Sequence, residues 1–142
     1  MSQMLVYLAG CISYYHQINQ IEKAIMWRQK ATQYLKEKGF EVFDPTCNFN
    51  KNNSAFFSPH LIVKQNMLYL EKSDIILVNL ENLSRSPGTL FEIYSGYLSR
   101  KPTIAFGYDS IVESPHVRVC LDAHYSSLEE ALECVTSYFF LK

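Results

Sequence analysis

One carboxylate stands where it could act as a nucleophile. Glu92 falls in the second turn of a predicted helix that opens with Ser84-Arg85-Ser86-Pro87-Gly88-Thr89, and residues 95, 96 and 99 on its side are Ser, Gly and Ser. A ligand can approach a carboxylate closely over such a small-residue face, and a helix N-terminus keeps the group ionised. The plainer alternative is a solvent-facing glutamate favoured there by the helix dipole. In the turn itself, backbone N–H groups with the Ser86 and Thr89 hydroxyls can hold an anion or a sugar hydroxyl, or they simply cap the helix. Gly10-Cys11, Asp44 and Asn79 follow or end apolar runs and form the second set of chemistry-bearing positions.

These positions can cooperate only if the intervening elements bring them to one edge. The chain alternates short apolar runs with helix-period segments, the mark of β-α units and a mostly parallel sheet. Strands are expected at 4–9, at 40–43 before Asp44-Pro45, at 74–79 and at 102–106. The third, Asp74-Ile75-Ile76-Leu77-Val78-Asn79, suits a central place buried on both faces. Helices are expected from about 17 to 38, where Ile21, Ala24, Ile25, Trp27, Ala31, Tyr34 and Leu35 recur at spacings of three and four, then at 61–72 and about 87–99. Gly39 caps the first, and Pro87 fits the first turn of the last.

Residues 46–59 are rich in Asn and Ser and read as a long loop, a kind of segment that commonly serves as a lid. Residues 107–126 read as irregular, with a short fifth strand at 117–120 or 124–125. Ser126 or Ser127 caps a C-terminal helix, and with Ser126 as cap Glu129 takes the capping-box position. In open α/β sheets the ligand lies beyond the carboxyl ends of the strands. That rule gathers Gly10, Cys11, Asp44, Asn79 and the turn 81–88 on the working edge. Asp74 opens its strand, so its expected role is structural.

Composition narrows the partners. With 13 basic and 14 acidic side chains in 142 residues, no electrostatic footprint for a nucleic acid polymer or an anionic membrane surface exists. The apolar run after Met1-Ser2-Gln3 is too short for a signal or spanning segment, and four cysteines without metal-ligand spacing read as reduced thiols, so a single cytoplasmic domain over 1–142 is expected. Gly-rich dinucleotide and P-loop fingerprints are absent, His16, His60, His116 and His124 are scattered, and neither a cofactor nor a metal is expected.

Taken in order, Val6-Tyr7-Leu8-Ala9-Gly10, Trp27-Arg28, Phe43-Asp44-Pro45, Ser73-Asp74-Ile75-Ile76-Leu77-Val78-Asn79, Ser86-Pro87-Gly88-Thr89-Leu90-Phe91-Glu92 and Lys101-Pro102 resemble the nucleoside 2-deoxyribosyltransferase family. The resemblance spans residues 4 to about 106 and rests on order and spacing together. It implies a flavodoxin-like three-layer α/β sandwich with a five-stranded sheet. It also implies cleavage of the N-glycosidic bond of 2′-deoxynucleosides or their 5′-monophosphates, with Glu92 as nucleophile on C1′ and transfer to another nucleobase or to water. A catalytically weakened nucleotide sensor of the same fold is the alternative.

Two positions depart from the family pattern. Asn66 stands where members usually carry aspartate, and a neutral amide can hydrogen-bond a substrate but cannot relay a proton. Asp44 is the substitute candidate. Cys11 replaces the usual proline after Gly10. Ser86, six residues before Glu92, is the residue found in relatives that act on monophosphates. Tyr7, Gly10, Cys11, Asn79, Ser86, Gly88 and Thr89 are therefore expected to line the substrate, with Glu92, Asn66 and Asp44 as catalytic candidates. The resemblance further implies a homodimer or higher homo-oligomer in which a neighbouring subunit completes the pocket.

Aromatic residues make up 14% of the chain, more than helix-period packing absorbs. Tyr7 and Trp27 read as core, and Arg28 as pairing with an acidic residue or reaching the site. Tyr14, Tyr15, Phe56, Phe57 and Tyr97 are left as a wall for a planar base shared with a subunit interface.

Overall fold

The computed structural model describes residues 3–49 and 58–139. Five strands, β1 (Leu5–Ala9), β2 (Glu41–Phe43), β3 (Ile75–Asn79), β4 (Thr103–Phe106) and β5 (Ala123–Tyr125), form one sheet in the order β2-β1-β3-β4-β5, and every pairing is parallel. The helices are α1 (Ser13–Gln17), α2 (Glu22–Glu37), α3 (Pro59–Lys72), α4 (Pro87–Leu98), α5 (Pro115–Arg118) and α6 (Leu128–Tyr138). This is the flavodoxin-like order, in which the chain reverses its direction of sheet growth between β1 and β3. A crevice at the carboxyl ends of those two strands follows from that reversal.

Alternation along the strands divides the core into two slabs. Val6, Leu8, Ile75, Leu77 and Ile104 pack with Ala31 and Leu35 of α2 and Leu132 and Val135 of α6. Tyr7, Ala9, Ile76, Val78 and Ala105 face the other way, against Leu70 of α3, Ile93 of α4 and Val117 of α5. All five residues of β3 are buried, as its unbroken aliphatic run requires for a strand covered on both faces. Asp74 has the structural role expected of it: its Oδ2 accepts from the Leu5 N–H at 2.8 Å and ties the starts of β1 and β3.

One expectation needs amendment, and two that were left open are decided. The first expected helix starts at 22 rather than about 17, because a short α1 precedes it and is closed by Asn19 at φ 56° and the Gln20 N–H bonding back to Tyr15 O at 2.8 Å. Asn tolerates this left-handed backbone better than other non-glycine residues. The fifth strand is 123–125, and 117–120 instead follows Pro115 into the short α5. Ser127, not Ser126, caps α6, accepting from Glu130 N at 3.2 Å, while the Glu130 carboxylate receives both serine hydroxyls. Glu129 pairs with Lys30 of α2. Of the long loop, Pro45–Phe49 forms a 3-10 turn, and residues 50–57, with Phe56 and Phe57, lie outside the described residues.

Leu77 is wholly buried in the middle of β3. Leu77→Ala should cost about 3 kcal/mol, since a cavity in a slab bounded by helix and strand cannot collapse fully. Urea denaturation followed by circular dichroism measures it.

Candidate active site

Tyr7 points from β1 into the slab under α3 and α4, and Glu92 comes down from the second turn of α4 to meet it. The Tyr7 hydroxyl donates to Glu92 Oε2. One carboxylate oxygen, Oε2, is thereby held. Burial raises the Glu92 carboxyl from 4.5 to about 7, against the opposing pull of the Tyr7 hydrogen bond and the Arg28 charge. The helix N-terminus therefore does not keep this group in the ordinary carboxylate range: desolvation outweighs it. Tyr7 is wholly buried, and its phenol is pushed up by that burial and by Glu92. It stays a donor throughout the range in which Glu92 titrates.

Arg28 lies beneath this pair with no solvent exposure. Its Nη1 donates to Ala24 O at 2.8 Å and its Nη2 to Gly10 O at 3.0 Å, and Nε stands 3.6 Å from Asp44 Oδ1. Burial lowers its pKa to about 10, with Asp44 and Glu92 acting the other way, so it remains a cation. The guanidinium also lies 4.6 Å from the Trp27 ring centre. Arg28 thus does what the sequence left open, pairing with Asp44 and acting on Glu92. The signal for a site role lay in the spacing: the buried residues of α2 are 24, 28, 31 and 35, so a charge interrupts an apolar stripe.

Asp44 Oδ1 also accepts from the Thr46 N–H at 2.8 Å and the Thr46 hydroxyl at 2.6 Å. Phe43, just before it, stacks on Tyr69 of α3 at 4.1 Å and leans against Tyr7 at 5.4 Å, so an aromatic ladder runs from the buried tyrosine to the surface beside α3. Asn66, half-buried, is on the same helix one turn earlier. At the start of α4 the Ser86 and Thr89 hydroxyls bond each other at 2.6 Å, and both residues are buried. Gly88 has open space where a side chain would be, which leaves the helix start bare. Arg85 lies over the Tyr14 ring at 5.0 Å.

Gly10 is demanded by packing, since a Cβ there would stand 3.1 Å from Trp27 Cζ2 and 3.3 Å from Arg28 Nη2. Cys11 is buried and its thiol is pushed up by that burial, which removes it as a nucleophile. Tyr15, expected outside the core, is buried with Cys11 and Ala24 in a small third cluster. Tyr97 is 46% exposed beside Tyr94, as expected of a residue without a core role.

Asn79 is not brought to Glu92. Alternation along β3 turns it to the α2 side, where a cavity of about 700 Å³ opens between Trp27, Phe106, Tyr108 and the loop after β3. Glu92 does not line that cavity. The carboxyl edge therefore carries two separate features, the buried Glu92–Tyr7–Arg28 cluster and the Asn79 cavity.

The family model described as nucleoside 2-deoxyribosyltransferase like matches residues 3–109, and the chain belongs to this family. No curated protein matches it. Among solved structures, the 2-deoxyribosyltransferase of the psychrotolerant bacterium Bacillus psychrosaccharolyticus is similar at 22% identity and TM-score 0.65, covering 96% of this chain and 93% of its own. A conserved protein from Enterococcus faecalis V583 is similar at 17% identity and TM-score 0.71, covering 96% and 99%. The CMP N-glycosidase BcmB of Clostridium botulinum is similar at 22% identity and TM-score 0.59, covering 94% and 99%.

Two stability measurements test the cluster. Because the folded-state value of Glu92 lies above 4.5, the unfolded chain gives up this proton first, and wild type loses stability as pH rises from about 4.5 to about 7. Relative to Glu92→Gln that loss should be on the order of 3 kcal/mol, read from denaturation at pH 5 and pH 8. Arg28→Met should cost about 3 kcal/mol or more, because it strands the Gly10 and Ala24 carbonyl bonds and the Asp44 carboxylate.

Proposed function

We propose that this chain cleaves the N-glycosidic bond of 2′-deoxynucleosides or their 5′-monophosphates through a deoxyribosyl intermediate on Glu92. The observation that carries the reading is the carboxylate of Glu92, desolvated and held by Tyr7 through one oxygen. A nucleophile so held needs no search for its attacking orientation. Oε1 bonds to C1′ as the bond from C1′ to the base nitrogen breaks, and the electron pair leaves with the base, which takes up a proton. Positive charge developing on the sugar is met by the carboxylate, as in retaining glycosidases. A second base or water then attacks C1′ from the vacated face and frees Glu92, so configuration is retained.

Asp44, paired with Arg28, is proposed to orient the leaving base, and the proton the base takes up comes from solvent, since Asn66 has none to relay. Among the described residues the hydrogen bonds Asp44 accepts fall on Oδ1. Asn66 and the bare start of α4 with Ser86, Gly88 and Thr89 are proposed to hold the sugar and its 5′ substituent, Arg85 supplying charge beside it. A second copy of the chain is proposed to cover the apolar face that flanks Glu92, where Phe91 is 74% and Tyr94 53% exposed. Faces of this kind mark interaction sites.

Chromatography of deoxynucleosides and deoxynucleoside monophosphates, with and without an acceptor base, tests the reaction. Glu92→Ala should abolish base release, by about 10³-fold or more, and release that survives the substitution sinks the mechanism. The acidic limb of kcat/KM should fall near pH 7, where Glu92 ionises, rather than near 4. Asn66→Asp should raise a slow rate. An Asn66→Asp variant no faster than wild type means that position 66 carries no proton. Nucleotide binding with no turnover of any substrate favours the sensor reading.

A further inference from the structure

The turn that opens α4 is held in place from outside the catalytic cluster. Leu83–Arg85 forms a 3-10 turn that runs directly into α4, with Ser86 ending the one and opening the other. Its backbone closes through the Arg85 N–H to Asn82 O at 2.9 Å and the Ser86 N–H to Leu83 O at 3.0 Å. On one side Asn82, at φ 57°, donates from Nδ2 to the Tyr15 hydroxyl at 2.8 Å. On the other stands Asp109, in the segment after β4. Its Oδ2 accepts from the Ser84 N–H at 3.2 Å and the Ser84 hydroxyl at 2.9 Å, while Oδ1 accepts from the Ile111 N–H at 2.9 Å.

One carboxylate thus ties together two loops that follow different strands. Burial pulls the Asp109 carboxyl up, but the Ile111 and Ser84 N–H bonds, the Ser84 hydroxyl and the Arg85 charge outweigh it and keep the group below the ordinary carboxylate range. Its bonds to Ser84 are therefore charge-assisted. What depends on them is the turn and not the body of α4. A Cβ on Gly96 would collide with Ile76 Cδ1, so the helix lies directly on β3, and Glu92 is bonded to Tyr7 of β1. Leu83 is buried under the turn, whereas Ser84 and Arg85 are exposed, Ser84 held by Asp109 and Arg85 lying over the Tyr14 ring.

We propose that Asp109 is a positioning residue: by holding Ser84 it fixes the turn 83–86, and through that turn the Ser86 hydroxyl and the Arg85 charge that receive the substrate. This role rests on the reading of the start of α4 as a substrate-binding element, and it gives Asp109 no contact with the substrate. Binding groups placed in advance spare the ordering cost of association. Loss of the tie therefore appears in KM and leaves the step at Glu92 unaffected.

Asp109→Ala should raise KM for base release about tenfold, the loss expected for one charge-assisted hydrogen bond. Its kcat should stay within about twofold of wild type, with the acidic limb of kcat/KM still near pH 7. Ser84→Ala added to Asp109→Ala should raise KM no further, because both changes remove the same tie. Asp122→Ala is the structural control, since Asp122 Oδ2 accepts from the Thr103 N–H at 2.8 Å at the opposite end of β4. It should lower stability and leave KM unchanged. Asp109→Asn keeps an acceptor oxygen for one of the two loops, should show a smaller rise in KM, and serves if the alanine variant does not fold. Hydrogen exchange at the amides of 84–86 should be about tenfold faster in Asp109→Ala, with β3 unchanged. That measurement needs no turnover: if wild type releases no base, the glycosidic reading fails while the exchange rates still decide whether Asp109 holds the turn. An unchanged KM in Asp109→Ala overturns the role, as does a fall in kcat without a rise in KM, an equal rise in Asp122→Ala, or unchanged exchange at 84–86.

Discussion

A guanidinium closed off from solvent holds the working edge of this protein together. Arg28 reaches from α2 past the end of β1, takes the carbonyls of Ala24 and Gly10, and faces Asp44 at the end of β2. Burying a cation is expensive unless its donors are met and a counter-charge is near. Here the carbonyls come from the backbone and the charge from two carboxylates, so the penalty is offset only if β1, β2 and α4 all keep their places. Gly10 belongs to the same arrangement, since any side chain would push on Trp27 and Arg28.

The balance at Glu92 depends on that cation. Burial alone favours the neutral acid, while Tyr7 and Arg28 favour the carboxylate, and the outcome near 7 leaves both forms accessible at neutral pH. A carboxylate stripped of water is a better nucleophile than a solvated one, and holding one oxygen by a tyrosine whose own proton is not lost keeps the geometry constant. The aromatic ladder of Tyr7, Phe43 and Tyr69 extends the same cluster outward to α3. Chemistry and packing are therefore not separate layers here, because the residues that bury Glu92 are those that join β1 to β2.

Much of the fold was legible in the chain. The apolar run 75–79 suited a central strand, Asp74 at its start read as structural, and the order of β-α units implied a parallel sheet. Local chemistry left a choice open where two signals competed. Asn19 closed a short helix ahead of the expected one, Pro115 opened a short helix that left 123–125 as the fifth strand, and Ser127 rather than Ser126 took the cap. Each was a choice between neighbouring residues that a packed structure makes and a pattern does not.

The candidate site was legible in part, for a related reason. Residue type and spacing singled out Glu92, Asp44 and the turn before α4, because carboxylates at strand ends and helix starts are visible along one dimension. The sequence by itself determined four of the five strands and the parallel sheet they form. Only the tertiary structure decided that Tyr7 and Glu92, 85 residues apart, share a hydrogen bond and that Asn79 turns to the opposite face. Alternation is local and can be counted, but which helix covers which face depends on strand order, and strand order is decided by contacts between residues far apart in the chain.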